Sequence, residues 1–125
     1  MMSFRSKIFI LPGLGNSGDL HWQTLWEKKF PDFTRIHQQS WDQPVCEDWI
    51  STIDTALKNL PLNEVILVGH SLACCTIGYW SIRYKRKIRG ALMVAPSDTE
   101  AETYRPALPD SSRCRWNEFL SRPSP

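Results

Sequence analysis

Apolar residues in this chain fall into short compact runs separated by longer stretches with helical spacing. Lys7 to Leu11 (KIFIL), Glu64 to Val68 (EVILV) and Arg89 to Ala95 (RGALMVA) have the length and aliphatic content of buried strands. Phe33 to Gln38 (FTRIHQ) alternates and predicts a further strand. Val45, Trp49, Ile50, Ile53, Leu57 and Leu60 make one stripe at helical spacing, which predicts a helix over 45–60 that Pro61 ends. Glu47 and Asp48 stand in its first turn, where carboxylates complement the helix dipole. His21 to Phe30 predicts a short helix with Trp22, Leu25 and Trp26 on one face, broken at Pro31-Asp32, and Leu72 to Tyr84 predicts another. The order β-α-β-α-β-α-β implies an α/β fold, with a parallel sheet covered by helices on both faces. Residues 105–125 hold four prolines and little periodicity, so an irregular tail is expected there, with at most a stub of helix at Trp116 to Leu120.

The remaining composition narrows the function classes. A length of 125 residues fits one domain, and 42% hydrophobic with 22% charged residues is ordinary globular content. Six tryptophans supply large apolar area without naming a function. A net charge of +2 argues against nucleic acid or an anionic membrane as partner. The basic cluster Arg83, Lys85, Arg86, Lys87 and Arg89 fits a helix C-terminus and the turn after it. Cys46, Cys74, Cys75 and Cys114 form no metal-binding spacing with the histidines, so reduced thiols are expected. The apolar run at Ile8 to Leu11 is too short for a signal peptide, and no run approaches a membrane span. A soluble cytoplasmic protein follows as the expectation.

Chemistry concentrates where the strand 64–68 runs into Gly69-His70-Ser71-Leu72-Ala73 and then a helix. That is the strand–turn–helix context of the G-x-S-x-G nucleophile elbow, with alanine in place of the second glycine. Small residues two before and two after the serine let neighbouring backbone pass close to a strained turn. Ser71 would stand clear of the sheet at a helix N-terminus, with the Leu72 N–H as one oxyanion donor. A serine that merely caps a helix is the plainer alternative. His70 would project away from the Ser71 hydroxyl and line or fill the surroundings instead. Pro12 to Gly18 (PGLGNSG) follows the first strand, where such hydrolases place a second oxyanion donor, and the Leu14 N–H is the candidate. Asn16 and Ser17 would shape that loop or touch substrate.

The same loop carries a rival reading. Gly13, Gly15 and Gly18 match G-x-G-x-x-G, and Asp42 stands near the end of the next strand, roughly where a ribose-binding acid sits. Pro12 before the first glycine and Asp19 at the start of the helix count against a pyrophosphate there.

Leu11 to Gly18 (LPGLGNSG), His21-Trp22-Gln23, Leu25-Trp26-Glu27, Trp41-Asp42-Gln43-Pro44, Asp48-Trp49, Val68 to Leu72 (VGHSL) and Val94 to Asp98 (VAPSD) together resemble one family. It is the small serine hydrolase family of α/β-hydrolases that includes the retinoblastoma-binding serine hydrolase and YdeN-like proteins. The resemblance covers about residues 6–104. It implies a three-layer α/β-hydrolase-like fold with little or no lid, a Ser-Asp-His triad in that chain order, and hydrolysis of a small ester or related acyl substrate without a cofactor. Ser71 matches the nucleophile, and Leu14 and Leu72 match the oxyanion donors. The departure lies at the C-terminal end. No histidine follows His70, and neither Asp98 nor Asp110 stands in the family's acid context. His21 and His37 precede the serine without a motif for the base role.

The expectation is therefore an N-terminal portion of an α/β-hydrolase domain over 1–104 and an irregular or frameshifted tail over 105–125, left by a frameshift, an early stop or a trimmed gene prediction. The chain would be impaired or inactive as a hydrolase, and its uncovered sheet edge would favour aggregation. A non-catalytic protein- or ligand-binding remnant and, less favoured, a nucleotide-binding Rossmann-like domain are the alternatives.

Overall fold

The computed structural model describes residues 6–96. Strand β1 (Lys7–Leu11), helix α1 (Trp22–Lys29), strand β2 (Thr34–Arg35), helix α2 (Cys46–Leu57), strand β3 (Val65–His70), helix α3 (Leu72–Tyr84) and strand β4 (Gly90–Val94) follow in the expected alternation, with a 3₁₀ turn at Leu62–Glu64. The strands form one parallel sheet in the order β2-β1-β3-β4. The tail at 105–125, Asp98, Asp110 and Cys114 lie outside the described residues.

The strand order locates the functional end of the molecule. The chain leaves β1 toward β2 on one side, then returns past β1 to build β3 and β4 on the other. Right-handed crossovers then put α1 on one face of the sheet and α2 and α3 on the opposite face. The connections from β1 and β3 diverge, so a crevice opens between the carboxyl ends of these two neighbours, which is where ligands bind in open α/β sheets. Leu11 pairs in register with Gly69, so the loop after β1 and the turn after β3 start side by side.

The core lies between the sheet and the α2–α3 layer. Trp49, Ile50, Ile53 and Leu57 of the predicted stripe are buried against Val65, Leu67, Leu72, Ile77 and Trp80. Burial of each such side chain contributes about 1.5–3 kcal/mol. Polar ties fix the layer laterally. Asp54 of α2 accepts from Trp80 Nε1 and Arg86 Nε at 3.1 and 3.2 Å, and Glu47 pairs with Arg83 at 3.1 Å. The basic cluster thus marks the C-terminal end of α3 as expected, with Lys85 capping it in the left-handed region at φ 53°. No helix among the described residues is long and apolar enough to cross a membrane.

Four details differ from the sequence expectations. β2 is reduced to two residues, because only Thr34 and Arg35 stay in register with Phe9 and Ile10 before the chain turns away. α2 stops at Leu57, three residues early. Leu60 precedes Pro61 and is kept out of helical geometry, and Asn59 adopts φ 69° to leave the helix. α1 turns its expected apolar face outward. Leu25 is 48% exposed and Trp26 36%, while Gln23 and Thr24 are buried. Finally, Cys74 and Cys75 are free buried thiols as expected, whereas Cys46 is disulfide-bonded.

Candidate active site

Ser71 occupies the single residue between β3 and α3, with φ 58° and ψ −123°. A positive φ at a serine is unfavourable by about 1–3 kcal/mol, and here the strand on one side and the helix on the other impose it. Ser71 N–H donates to Val94 O at the end of β4, and Ser71 O accepts from Cys74 N–H to begin the helix. The turn is therefore fixed from both sides.

Two glycines allow this packing. A Cβ on Gly69 would come 2.7 Å from Ile77 Cδ1, so the strand end passes directly under α3. Ala73, at the position two after the serine, is itself buried without displacing the turn. A Cβ on Gly13 would come 2.7 Å from His70 O, 3.1 Å from Ser71 Cβ and 3.2 Å from Leu72 N. The loop after β1 is thus seated on the serine turn, and the structure brings Leu14 and Leu72, the two expected donors, to the same crevice as Ser71. Neither the Leu14 N–H nor the Leu72 N–H is taken by a hydrogen bond among the described residues.

The loop is held from outside by an unusually complete set of polar contacts. Asn16 N–H donates to Gly13 O, which closes a tight turn, and Gly15 N–H donates to Trp41 O at 2.9 Å. Arg35, whose side chain is only 8% exposed, donates to Glu27 Oε2, Asn16 Oδ1, Ser17 O and Thr24 Oγ1. Asn16 and Ser17 therefore shape the loop. Gln23 fills the crevice beneath it and bonds the ends of β1 and β3. Hydrophobic periodicity gave no sign of Arg35 or Gln23. The available signal was a polar pair, Gln23-Thr24, on the face of α1 opposite three large apolar residues.

Two of the three histidines, His21 and His70, gather on one side of the turn. His21 caps α1, its Nδ1 accepting from Gln23 N–H at 3.1 Å, which leaves the other ring nitrogen to carry the proton in the neutral form. Its ring meets His70 edge-on at 4.6 Å between centroids and lies 5.6 Å from Trp22. Burial, then the neighbouring His70 and Arg35, push the His21 pKa below the ordinary histidine value, and burial does the same for His70. Cys74, behind the turn, contacts Val94 O at 3.6 Å, and burial raises its thiol pKa. His37 is exposed on the β2–α2 side, and Asp42 is exposed as well. Among the described residues no group of three His, Cys, Asp or Glu side chains is placed to hold a metal ion.

Comparison with known proteins identifies the family and the fold. A family model described as serine hydrolase matches residues 8–119, beyond residue 104 where the resemblance is expected to end and into the stretch expected to be an unrelated tail. Among solved structures, a YdeN-like hydrolase from Pectobacterium atrosepticum superposes with a TM-score of 0.71 at 30% identity, over 84% of this chain and 56% of that one. The ydeN gene product of B. subtilis has the same fold, with a TM-score of 0.61 at 21% identity, over 70% of this chain and 50% of that one. The chain spans about half the length of both structures. No curated protein matches it. With a parallel α/β sheet, a serine turn at the mouth of its central crevice and a family match over nearly the whole sequence, the chain belongs to the serine hydrolase family.

Proposed function

We propose that Ser71 is the nucleophile of an esterase-type acyl hydrolase, that the β3–α3 turn is its nucleophile elbow, and that the Leu14 and Leu72 amides form the oxyanion hole. The observation that carries this reading is the seating of Gly13 on Ser71. It sets two N–H groups that have no hydrogen-bond partner among the described residues beside a serine held at positive φ. Such preorganised donors favour the charge that develops on a carbonyl oxygen under attack. In the reaction, the Ser71 oxygen bonds to the acyl carbon as a base takes its proton. The tetrahedral oxyanion sits between the two amides, the alcohol leaves with a proton, and water releases the acyl group. The substrate class is a small ester or related acyl compound.

A protein consisting of these 125 residues alone has no histidine after His70, so for it we propose a rate reduced by about four to six decades relative to a complete triad. The capped N-terminus of α1 speaks against the nucleotide alternative. The Gln23 N–H that a phosphate would use already donates to His21 Nδ1.

The test is covalent. A fluorophosphonate probe should label the chain slowly and at Ser71 alone, and Ser71→Ala should abolish the labelling. Labelling elsewhere, or none after prolonged exposure, would favour the non-catalytic binding alternative.

A further inference from the structure

We propose that Gln23 is a positioning residue that sets the separation of the loop after β1 from the turn after β3, and through it the relative placement of the Leu14 and Leu72 amides. The consequence for catalysis rests on the oxyanion reading above. The mechanical role does not.

Gln23 is 0% exposed, although it lies on a two-turn surface helix. Its Nε2 donates to Leu11 O at 3.0 Å and to Val68 O at 3.1 Å. These carbonyls are the last of β1 and the third-last of β3. They flank the crevice where the two connections diverge, so one planar amide group bridges the strands just where the ladder ends. Its Oε1 accepts from Ser17 Oγ at 2.7 Å. The orientation of the amide is forced, since both carbonyls are acceptors and only the nitrogen end can face them. The Ser17 hydroxyl then has to donate to Oε1.

The clamp is closed on its far side as well. Ser17 O accepts from Thr24 Oγ1 at 3.1 Å and from Arg35 Nη1 at 3.2 Å, so the residue that fixes the amide is itself fixed. A buried amide with both protons and its oxygen engaged is costly to misplace, because any shift strands a carbonyl without a partner. Packing alone needs no such group. A methionine or leucine would fill the same space without bridging the two strands. What the amide adds is a fixed distance between the loop that carries Leu14 and the turn that carries Ser71 and Leu72.

The experiment uses the full 125-residue chain, with Gln23→Met, which keeps length and removes the donors, and Ser17→Ala, which removes only the anchor of the amide oxygen. Backbone amide NMR signals of folded protein are recorded with no ligand. The expected result is displacement of the Gly13, Leu14, Ser71 and Leu72 signals in Gln23→Met, with α2 signals unmoved. Ser17→Ala should displace the same set to a smaller degree. Fluorophosphonate labelling of Ser71, already slow in the unmodified chain, should fall in rate by about tenfold or more, as a misplaced donor predicts. If the loop and turn signals stay put in both variants while only the melting temperature drops, Gln23 merely fills the core and the proposal is overturned. Should Gln23→Met fail to fold, Ser17→Ala decides by the same signals. Absence of Ser71 labelling in the unmodified chain overturns the hydrolase reading and leaves the amide signals to decide the clamp separately.

Discussion

At Ser71 the energetic cost of a functional geometry can be isolated from everything else the residue does. Its φ of 58° and ψ of −123° lie in a region that glycine enters freely and a residue with a Cβ does not. Replacing the serine by alanine removes the hydroxyl and keeps the strained Cβ. Replacing it by glycine removes both. The difference between Ser71→Gly and Ser71→Ala therefore reads the backbone strain less the extra chain entropy that glycine loses on folding, without the hydrogen bonding of the side chain. Ser71→Gly should be more stable than Ser71→Ala by about 1 kcal/mol in urea unfolding, and neither should react with the fluorophosphonate probe. Equal stability of the two variants would limit the strain to about the 0.4–1 kcal/mol that glycine loses through the unfolded chain, too little to set this turn apart.

At the level of elements, the junction of β3 and α3 depends on how closely the strand end can approach the helix. A methyl group on Gly69 would meet Ile77 Cδ1 at 2.7 Å and everything else at ordinary contact distance. The clash is with the tip of one side chain, so it has a specific cure. Gly69→Ala and Ile77→Val should each destabilise the protein, the second by about 0.5–1.5 kcal/mol. Combined, they should cost less than their sum by about 1 kcal/mol, because valine lacks the clashing carbon. Strict additivity would show that Gly69 is required for some other reason. This junction was readable in advance, since an apolar run, a glycine, a serine, an alanine and a helical stripe follow one another within twenty residues. β1 and α3 fell on their predicted spans for the same reason. What escaped was the polar half of the site. Gln23 and Thr24 are buried because their partners are backbone carbonyls and a buried arginine, and Gln23 meets Val68 across 45 residues of sequence. Periodicity assigns the apolar face of a helix to the core, and in α1 that rule failed where the helix caps a crevice lined by strand-end carbonyls. β2 was overextended because alternation continues after its partner in the sheet has turned away.

Across the whole molecule, the aromatic and histidine cluster beside the turn should make stability depend on pH in one window. His21 and His70 face each other at 4.6 Å, and Trp22, the Arg35 guanidinium and the buried end of β3 close around them. Desolvation by burial lowers both pKa values, and for His21 the His70 and Arg35 charges add to it. The unfolded chain, with ordinary histidines, therefore binds protons that the folded chain refuses. Stability is complete above the ordinary histidine value of about 6.5 and declines as pH falls from there toward the lower folded-state values. Carboxylates titrate further down, so between about pH 7.5 and 5.5 the histidines dominate the slope. The net charge, already +2 with neutral histidines, rises in the same interval and adds no opposing term. Urea midpoints should be level at the upper end of this window and fall toward its lower end. In a His21→Gln, His70→Gln double variant the curve should lie flatter, whatever its absolute height, since glutamine keeps polarity without titrating. A variant that falls as steeply as the parent would place the acid sensitivity elsewhere in the fold.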